Sequence, residues 1–311
     1  MLSFNIKLPS PVKTQNNKFP KIWIGTWSMG GEGFGRHDLS LSLKTLELAF
    51  EYGVRYFDTA GFYANGRSEA LIKKTFGRVR KEIFISTKGG LKRKGRRVWH
   101  DARPESLKED LFQSLDRLNT DYIDLFNLHW PDPKVPLNES IDAIKDLKKQ
   151  GLIRYIGVCN LSVEQIENFI MPEEKIFHQV HFNPIHCSSL SILKSGKNRD
   201  RCINCIISPF EQGLLVNPLY LNRRFGKKDI RNRNPYFKDR DIKERLRRFF
   251  LWCNEQRVNP VHVVINWILR HKEVDIIIFG PKTPSQLFDI LDYFKDFRRD
   301  LDECFFKDNY N

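Results

Sequence analysis

Short apolar segments alternate with amphipathic helical patterns along the chain from residue 21 to its end. The first apolar run is Lys21–Gly25. Behind it, apolar side chains recur at steps of four, three and four residues, at Leu39, Leu43, Leu46 and Phe50. This spacing predicts one apolar face of a helix, and Gly53 suits its C-terminal end. The chain therefore opens with a strand–helix unit.

Seven further strand-like runs follow in the same rhythm. They end at Asp58, cover Ile83–Lys88, reach His129, end near Asn160, and then cover His178–Phe182, Cys202–Ile207 and Asp275–Phe279. Seven helices are predicted between and after these strands. The first begins after Ser68, the second begins at Pro104 with an apolar face of Leu107, Leu111, Leu115 and Leu118, and the third carries Ile141, Ile144 and Leu147 and ends at Gly151. The others cover Ser162–Ile170, Asp241–Gln256 and Pro260–Arg270, and the last begins near Pro284. A long polar loop is predicted from about 216 to 240.

Eight strand–helix units with nearly continuous apolar strands predict a parallel sheet covered by helices. Two arrangements satisfy this pattern, a closed (β/α)8 barrel and an open doubly wound sheet. An open sheet that binds a dinucleotide should carry a glycine-rich fingerprint after its first strand. The segment Met29–Gly35 is rich in glycine, but its spacing is wrong and no helix follows at once. We predict an α/β fold, a single (β/α)8 TIM barrel over residues 1–311, with an extra helix and loop near its C-terminal end.

Composition is typical of a protein with a sizeable core that does not span a membrane. Apolar residues make up 41% of the chain, yet no run of about 18 uncharged apolar residues occurs. The segment Met1–Lys7 lacks the charged and apolar regions of a secretory signal. We therefore expect a cytoplasmic protein without a membrane partner.

The chain is strongly basic, with a net charge of +14. Its cations concentrate in two stretches, Arg78–Arg97 and Arg223–Arg248. Such stretches form solvated loops and helix faces, attract a phosphorylated cofactor or substrate, or bind nucleic acid. Neither stretch has the interleaved aromatic residues of a base-stacking surface, so no nucleic-acid partner is expected.

The six cysteines do not suggest a disulfide framework in a chain of this length. Cys202 and Cys205 have the spacing of a metal-binding or redox pair. A structural zinc site needs a second such pair, and the sequence has none. We expect ordinary thiols at the start of a buried strand and no bound metal.

Reactive side chains stand where four of the predicted strands run out. Asp58, Lys88, His129 and Asn160 occupy the four strand ends, and Tyr63 lies five residues beyond Asp58 on the following loop. In barrels of this kind, the C-terminal strand ends and their loops build the active site. Taken singly, each has an ordinary structural explanation: Asp58 as a helix cap or loop anchor, Tyr63 as a packed aromatic, Lys88 as a solvated charge and His129 as a loop histidine. Their joint placement on one rim favours a common chemical role.

The combination is suited to protonating an alkoxide while hydride arrives at a carbonyl carbon. A phenol donates the proton, and a neighbouring ammonium is expected to lower the pKa of that phenol. A carboxylate beside the lysine keeps it charged and oriented. An imidazole opposite donates a hydrogen bond to the carbonyl oxygen as negative charge grows there. The four residues therefore point to carbonyl reduction.

The chain resembles the aldo-keto reductase family, in its bacterial-type branch. The resemblance runs from residue 25 to about 290 through the segments Gly25–Trp27, Asp58–Glu69, Ser86–Gly90, Asp121–Leu125 leading to Leu128–His129, Gly157–Asn160 and Gly280–Leu287. It implies that Asp58, Tyr63, Lys88 and His129 are the catalytic tetrad, with Tyr63 as the general acid. It also implies that NAD(P)H lies extended across the barrel mouth without a Rossmann fold.

The resemblance assigns cofactor contacts along the whole rim. Gly25, Thr26, Trp27 and Asp58 match contacts at the mouth, and Cys159, Asn160 and Gln179 match the surroundings of the nicotinamide carboxamide. The loop that holds the pyrophosphate matches Ser208, Pro209, Phe210, Gln212, Gly213 and Leu214, and the adenosine segment matches Gly280, Lys282, Thr283 and Gln286. Because a cation at Lys282 favours a 2′-phosphate, we expect NADP(H) rather than NAD(H).

Three positions depart from the family pattern. Cys159 replaces a serine, which removes a strong hydroxyl hydrogen bond near the carboxamide. Ile207 stands where many members place an aromatic that stacks on the nicotinamide. Ile290 replaces an asparagine near the adenine, which leaves Asp289 as the polar candidate there. The departures concern how the cofactor is held, and they leave the tetrad complete.

We therefore expect an NADPH-dependent reductase of a small-molecule aldehyde or ketone. The basic loop Lys92–Arg97 follows the third strand and suggests an anionic or phosphorylated carbonyl compound. Segments Ser86–Leu91 and Asp101–Glu105 are similar to a bacterial branch that includes pyridoxal reductases and sugar-modifying enzymes. The alternative is a catalytically weak, cofactor-sensing regulatory subunit on the same fold. The pattern gives no indication of an oligomeric state.

Overall fold

A closed barrel of parallel strands forms the centre of the protein, in a computed structural model that describes residues 12–14, 17–35, 37–95, 97–168, 175–195, 200–295 and 305–306. The barrel strands, in chain order, are β3 (Ile22–Gly25), β4 (Tyr56–Asp58), β5 (Phe84–Gly89), β8 (Ile123–Leu128), β9 (Ile153–Cys159), β10 (Ile176–His181), β11 (Cys202–Ile207) and β12 (Ile276–Phe279). Each pairs with its neighbours in that order, and β12 pairs with β3 to close the ring. The predicted (β/α)8 barrel is confirmed, and the open sheet is excluded.

Two antiparallel hairpins form separate small sheets outside the barrel sheet. β1 (Val12–Thr14) pairs with β2 (Asn17–Phe19) before the first barrel strand. β6 (Leu91–Lys94) pairs with β7 (Arg97–His100) directly after β5. The second hairpin occupies the basic stretch that the sequence predicted as a loop.

Helices surround the barrel and connect its strands. They are α1 (Leu39–Glu51), α2 (Arg67–Phe76), α3 (Pro104–Leu118), α4 (Leu137–Lys149), α5 (Val163–Asn168), α6 (Leu190–Lys194), α7 (Arg240–Glu255), α8 (Pro260–Leu269) and α9 (Pro284–Lys295). Helix α3 shows how the sequence sets their limits. Pro104 is its first residue, where a missing N–H costs nothing, and Asn119 behind it is left-handed with φ 52°.

The apolar residues form two cores on opposite sides of the strands. The outer core lies between strands and helices, where helix faces such as Leu107, Leu111 and Leu118 are buried. The inner core fills the lower barrel with aromatic rings. Phe19 lies at its centre, with its ring 5.0 Å from that of Phe177 and edge-on to it. The inner core closes the barrel at the end opposite the C-terminal strand ends, so the barrel is not a pore.

Several predicted boundaries shift. The sixth barrel strand begins at Ile176 rather than His178. The predicted polar loop from 216 to 240 contains three 3-10 turns, Pro218–Leu221, Ile230–Asn232 and Pro235–Phe237. Predictions for Met1–Lys7, Arg96, the end of the helix at 169–170, and Cys304 lie outside the described residues.

Cys202 and Cys205 are buried free thiols on β11, as predicted. Burial raises the pKa of Cys202 to about 12, which keeps the thiol protonated near neutral pH. Within the described ranges, no group of three or more histidine, cysteine or acidic side chains is arranged to hold a metal. No described helix is long and apolar enough to cross a membrane.

Candidate active site

The register of the barrel brings the ends of its first strands level with one another. Asp58 on β4 is opposite Gly25 on one side and Ser86 on the other. Lys88 on β5 is opposite Asn127, and His129 directly follows β8. The carboxyl ends of parallel strands face the same way, so these side chains share one rim.

A buried ion pair joins Asp58 and Lys88. The Lys88 ammonium donates to Asp58 Oδ2 at 2.6 Å and to the Thr59 carbonyl at 2.8 Å. Both side chains are at most 4% exposed. Burial alone would lower the pKa of Lys88, but the charge of Asp58 and the nearby Tyr63 phenol outweigh it and raise that pKa. Lys88 is therefore a fixed positive charge at the rim.

Tyr63 lies between a tryptophan, the ammonium and the histidine. Its ring stacks on that of Trp27 at 5.9 Å, and the Lys88 Nζ atom lies 5.0 Å from the ring centroid. Burial raises the pKa of Tyr63 to about 12, although the Lys88 charge opposes the shift. The ammonium lowers the pKa of the phenol, as expected, but desolvation of the phenolate is the stronger effect and the net shift is upward.

His129 faces Tyr63 edge-on, with the two ring centroids 5.8 Å apart. Burial lowers the pKa of its imidazole well below 6.5, and the charges of Lys88 and His100 lower it further. His129 is therefore neutral near pH 7 and offers one N–H as a hydrogen-bond donor. Its Nδ1 atom is buried and has no hydrogen-bond partner among the described residues. The imidazole therefore has a ring nitrogen that is not hydrogen-bonded to these residues.

The lowered pKa of His129 predicts an acid-dependent loss of stability. The unfolded chain takes up a proton on this imidazole near pH 6.5, whereas the folded protein does so only at lower pH. The unfolded state then binds more protons, so the free energy of unfolding falls as pH drops below about 6.5. Urea denaturation between pH 7.5 and 5 should show a shallower loss for His129→Gln than for the unmodified chain. Parallel pH profiles would contradict this assignment.

Sequence reasoning missed Ser86 and Asn127 beneath the rim, and it assigned Gln179 to the cofactor without its contact to Asp58. Ser86 Oγ and Gln179 Nε2 each donate to Asp58 Oδ1 at 2.7 Å, and Asn127 Nδ2 donates to Ser86 Oγ at 3.0 Å. Ser86 precedes Lys88 by two residues, and Asn127 precedes His129 by two. A strand alternates its faces, so this spacing could have placed both inside the barrel beneath the rim.

The residues assigned to the nicotinamide carboxamide meet at the ends of β9 and β10. Asn160 has a left-handed φ of 60°, and its amide donates to the His129 carbonyl at 3.2 Å. Gln179 donates to Asp58, and its Oε1 accepts from the Cys159 thiol at 3.5 Å. The structure brings Gln179 and Cys159 beside the Asp58–Lys88 pair, and Asn160 beside the backbone of His129. Their amides are hydrogen-bonded to protein groups here.

The segment assigned to the pyrophosphate forms a tight turn after β11. Ser208, Glu211, Gln212 and Gly213 all have positive φ. The carboxylate of Glu211 is buried and accepts from Asn183 at 2.7 Å and from Asn234 at 2.6 Å. Gln212 Oε1 is buried and has no hydrogen-bond partner in the part of the chain that the structure describes. A turn of this kind suits an extended polar ligand that supplies the missing donor.

The residues assigned to adenosine surround the first turn of α9. The Thr283 hydroxyl accepts from the Gln286 N–H at 3.4 Å, and Gln286 Oε1 accepts from the Lys282 N–H at 2.8 Å. The Lys282 ammonium donates to the Phe34 carbonyl at 3.0 Å. Burial and the charges of Arg231 and Arg223 lower the pKa of Lys282, and Asp229 opposes them. An anion at this helix start would relieve the repulsion among the cations.

The structure also locates the departures from the family pattern. Ile207 ends β11 and is half-buried at the rim. Ile290 is 2% exposed and packs in the outer core. The backbone carbonyl of Asp289 accepts from His262 Nε2 at 3.0 Å. Ile290 therefore contributes packing.

Comparisons with known proteins agree with this geometry. The sequence model of the Aldo/keto reductase family matches residues 21–304. Aldo-keto reductase YhdN of Bacillus subtilis (strain 168) is 31% identical over 86% of this chain and 82% of its own length. The NADH-specific methylglyoxal reductase of Escherichia coli (strain K12) is 25% identical over 89% of this chain and 90% of its own. The solved glycerol dehydrogenase of Gluconobacter oxydans superposes with a TM-score of 0.77 at 26% identity, over 94% of this chain and 91% of that one.

Proposed function

The chain belongs to the aldo/keto reductase family, and on this basis we propose that it reduces an aldehyde or ketone to an alcohol with NADPH. Membership supports an oxidoreductase that uses a nicotinamide cofactor and acts on carbonyl groups. The observation that carries the finer proposal is the convergence of a phenol, a buried charged lysine and a neutral imidazole beside Trp27. Together these groups can take up an oxygen on which negative charge is developing.

In the proposed mechanism, each rim residue acts on the carbonyl oxygen or on its proton. The reduced nicotinamide, when bound, supplies hydride to the carbonyl carbon. His129 donates a hydrogen bond to the carbonyl oxygen, and Tyr63 gives its phenolic proton to the alkoxide that forms there. An alkoxide is a much stronger base than a phenolate, so this transfer is downhill even with the raised pKa of Tyr63.

Lys88 then stabilises the phenolate left on Tyr63, because its ammonium lies beside that ring. Asp58 holds the ammonium in position, and Ser86 and Gln179 hold Asp58. Trp27 is 37% exposed and forms part of the mouth next to Tyr63. The rigid network beneath the rim therefore fixes the geometry of the proton donor before substrate arrives.

The cofactor residues present are compatible with NADP(H) in an extended conformation. Asn160 and Gln179 would hold the nicotinamide end, the turn Ser208–Gly213 the pyrophosphate, and Lys282 with Thr283 the adenosine end. NADPH is preferred because the Lys282 ammonium is a cation at the adenosine end and is suited to a 2′-phosphate. The charges of Arg231 and Arg223 also act on Lys282, although Arg231 is itself paired with Asp229. The substrate is proposed to be a small polar carbonyl compound, in keeping with the methylglyoxal and glycerol enzymes among its relatives.

The proposal is tested by following NADPH and NADH absorbance with methylglyoxal, pyridoxal and a phosphorylated sugar, for the unmodified chain and for Lys282→Met. We expect turnover with NADPH. Lys282→Met should raise the KM for NADPH by about 10- to 100-fold and leave that for NADH within about twofold, since only NADPH carries the 2′-phosphate.

Lys272→Met is the matched control, because it removes the same charge from an exposed position near the start of β12. Bound NADPH that none of the aldehydes or ketones oxidises would favour the cofactor-sensing alternative. Equal effects of Lys282→Met on both cofactors would overturn the assignment of Lys282 to the 2′-phosphate.

A further inference from the structure

The hairpin β6–β7 presents one face to the barrel mouth. Arg93 pairs with Val98 and Leu91 with His100, so Arg93 and His100 project from the same face. His100 stacks on Trp130 with ring centroids 6.1 Å apart, and Trp130 directly follows His129. His100 Nδ1 also lies 3.0 Å from the carbonyl oxygen of Pro131, two residues beyond His129. The face that carries Arg93 is therefore the one directed to the reacting groups.

The Phe62 ring lies between Arg93 and His129 and contacts both. Its Cζ atom lies 4.4 Å from the centroid of the Phe62 ring. Phe62 in turn packs edge-on to His129, with centroids 6.2 Å apart. Phe62 also directly precedes Tyr63 in the chain. A substrate whose carbonyl lies between Tyr63 and His129 could thus extend its other end along Phe62 to the guanidinium.

The neighbouring cations of the hairpin are directed elsewhere. The Lys92 ammonium donates to Asp110 at 2.7 Å and to Glu109 at 3.1 Å, both on α3. Lys94 lies on the same strand face as Lys92 and is exposed. Arg97 lies over the exposed ring of Trp99. Among the described lysines and arginines of the hairpin, Arg93 alone lies over the Phe62 ring.

Arg93 is held by a carboxylate on a separate loop. Its Nη1 atom donates to Glu32 Oε1, and the side chains of Arg93 and Glu32 are 21% and 41% exposed. An ion pair so accessible to water is worth little, and a second anion can compete for it. A guanidinium also binds a carboxylate or phosphate through two parallel hydrogen bonds.

We propose that Arg93 binds the carboxylate or phosphate of an anionic carbonyl substrate, and that Glu32 occupies the guanidinium until such a substrate arrives. This inference rests on the carbonyl-reducing function proposed above. It makes Arg93 a specificity residue that contacts the end of the substrate away from the reacting carbon. Glu32 then competes with anionic substrates for the Arg93 guanidinium and does not affect the binding of neutral substrates.

The test compares 4-carboxybenzaldehyde and 4-formylphenyl phosphate with the neutral 4-formylbenzamide. Arg93→Gln should lower kcat/KM for an anionic aldehyde by about 10- to 100-fold, and change that for the amide by about twofold at most. Glu32→Gln should raise kcat/KM for the same anion several-fold, and the double variant should behave as Arg93→Gln. Whichever of the two anions responds more identifies carboxylate or phosphate as the preferred group.

Lys94→Gln is the matched control, since it removes the same charge from the opposite face of the same strand. Anion selectivity that falls equally in Lys94→Gln and Arg93→Gln would reduce the effect to general electrostatics and overturn the inference. Turnover with unchanged selectivity in both Arg93→Gln and Glu32→Gln would also overturn it, while leaving the reductase function intact. Absence of turnover with any aldehyde in the unmodified chain would instead contradict the proposed function. Glu32→Gln keeps the test decisive if Arg93→Gln fails to fold.

Discussion

Tyr63→Phe should lower kcat by about 10²- to 10⁴-fold, the range typical of a lost general acid. The substitution removes the phenolic proton and keeps the ring that stacks on Trp27 and packs against His129. Binding of NADPH, followed by quenching of tryptophan fluorescence, should therefore stay nearly unchanged. The chemical step is isolated by measuring NADPH oxidation in a single turnover.

Tyr56→Phe provides the comparison for this result. It deletes a phenolic hydroxyl at the far end of the barrel, where Tyr56 packs against Trp23 in the inner core. Its turnover should match that of the unmodified chain. Full activity in Tyr63→Phe would remove Tyr63 from the role of proton donor and leave the mechanism without its acid.

Lys88→Met should abolish most turnover and also destabilise the fold by about 3–5 kcal/mol, the cost of stranding one member of a buried ion pair. The substitution removes the ammonium that pairs with the Asp58 carboxylate. Of the side-chain contacts described above, the buried carboxylate then keeps the hydrogen bonds from Ser86 and Gln179. Loss of the ammonium also leaves the Tyr63 phenolate without its neighbouring charge. Urea denaturation and single-turnover kinetics measure the two effects separately.

The double variant Asp58→Asn/Lys88→Met separates structure from chemistry. It removes both buried charges and should recover much of the stability lost in Lys88→Met, yet remain inactive. Lys149→Met serves as the control, because its ion pair with Asp146 is exposed and should contribute less than about 1 kcal/mol. A double variant that recovers turnover together with stability would show that Lys88 acts only on folding.

The sequence predicted the positions of the rim residues more closely than it predicted the bounds of the elements around them. Asp58, Lys88 and His129 could be found because each ends an apolar strand, and strand ends share a rim in any parallel barrel. Ser86 and Asn127 carry the same signal two residues earlier, since alternation places them on the inner face. The hairpin around Arg93 escaped because its strands are rich in cations and do not alternate apolar with polar residues; Val98 and Trp99 are adjacent, and both are exposed.

Other features depend on contacts between residues distant in the sequence. The net sign of the Tyr63 pKa shift required knowing how much water its ring loses and how close Lys88 comes. The link from Gln179 to Asp58 joins positions 121 residues apart. The pairing of Arg93 with Glu32 joins strand β6 to a loop with which it shares no sequence pattern. Burial and distance are properties of the packed chain, so local reasoning could name these groups but not their partners.

By itself, then, the sequence determined the barrel, the order of its units and the rim on which Asp58, Tyr63, Lys88 and His129 stand, because hydrophobic periodicity and strand direction are local properties. The tertiary structure alone decided which of those groups is charged, which is neutral, and which aromatic ring Arg93 lies over. Desolvation and Coulomb interactions depend on separations of a few ångströms between distant segments, and only packing sets those separations.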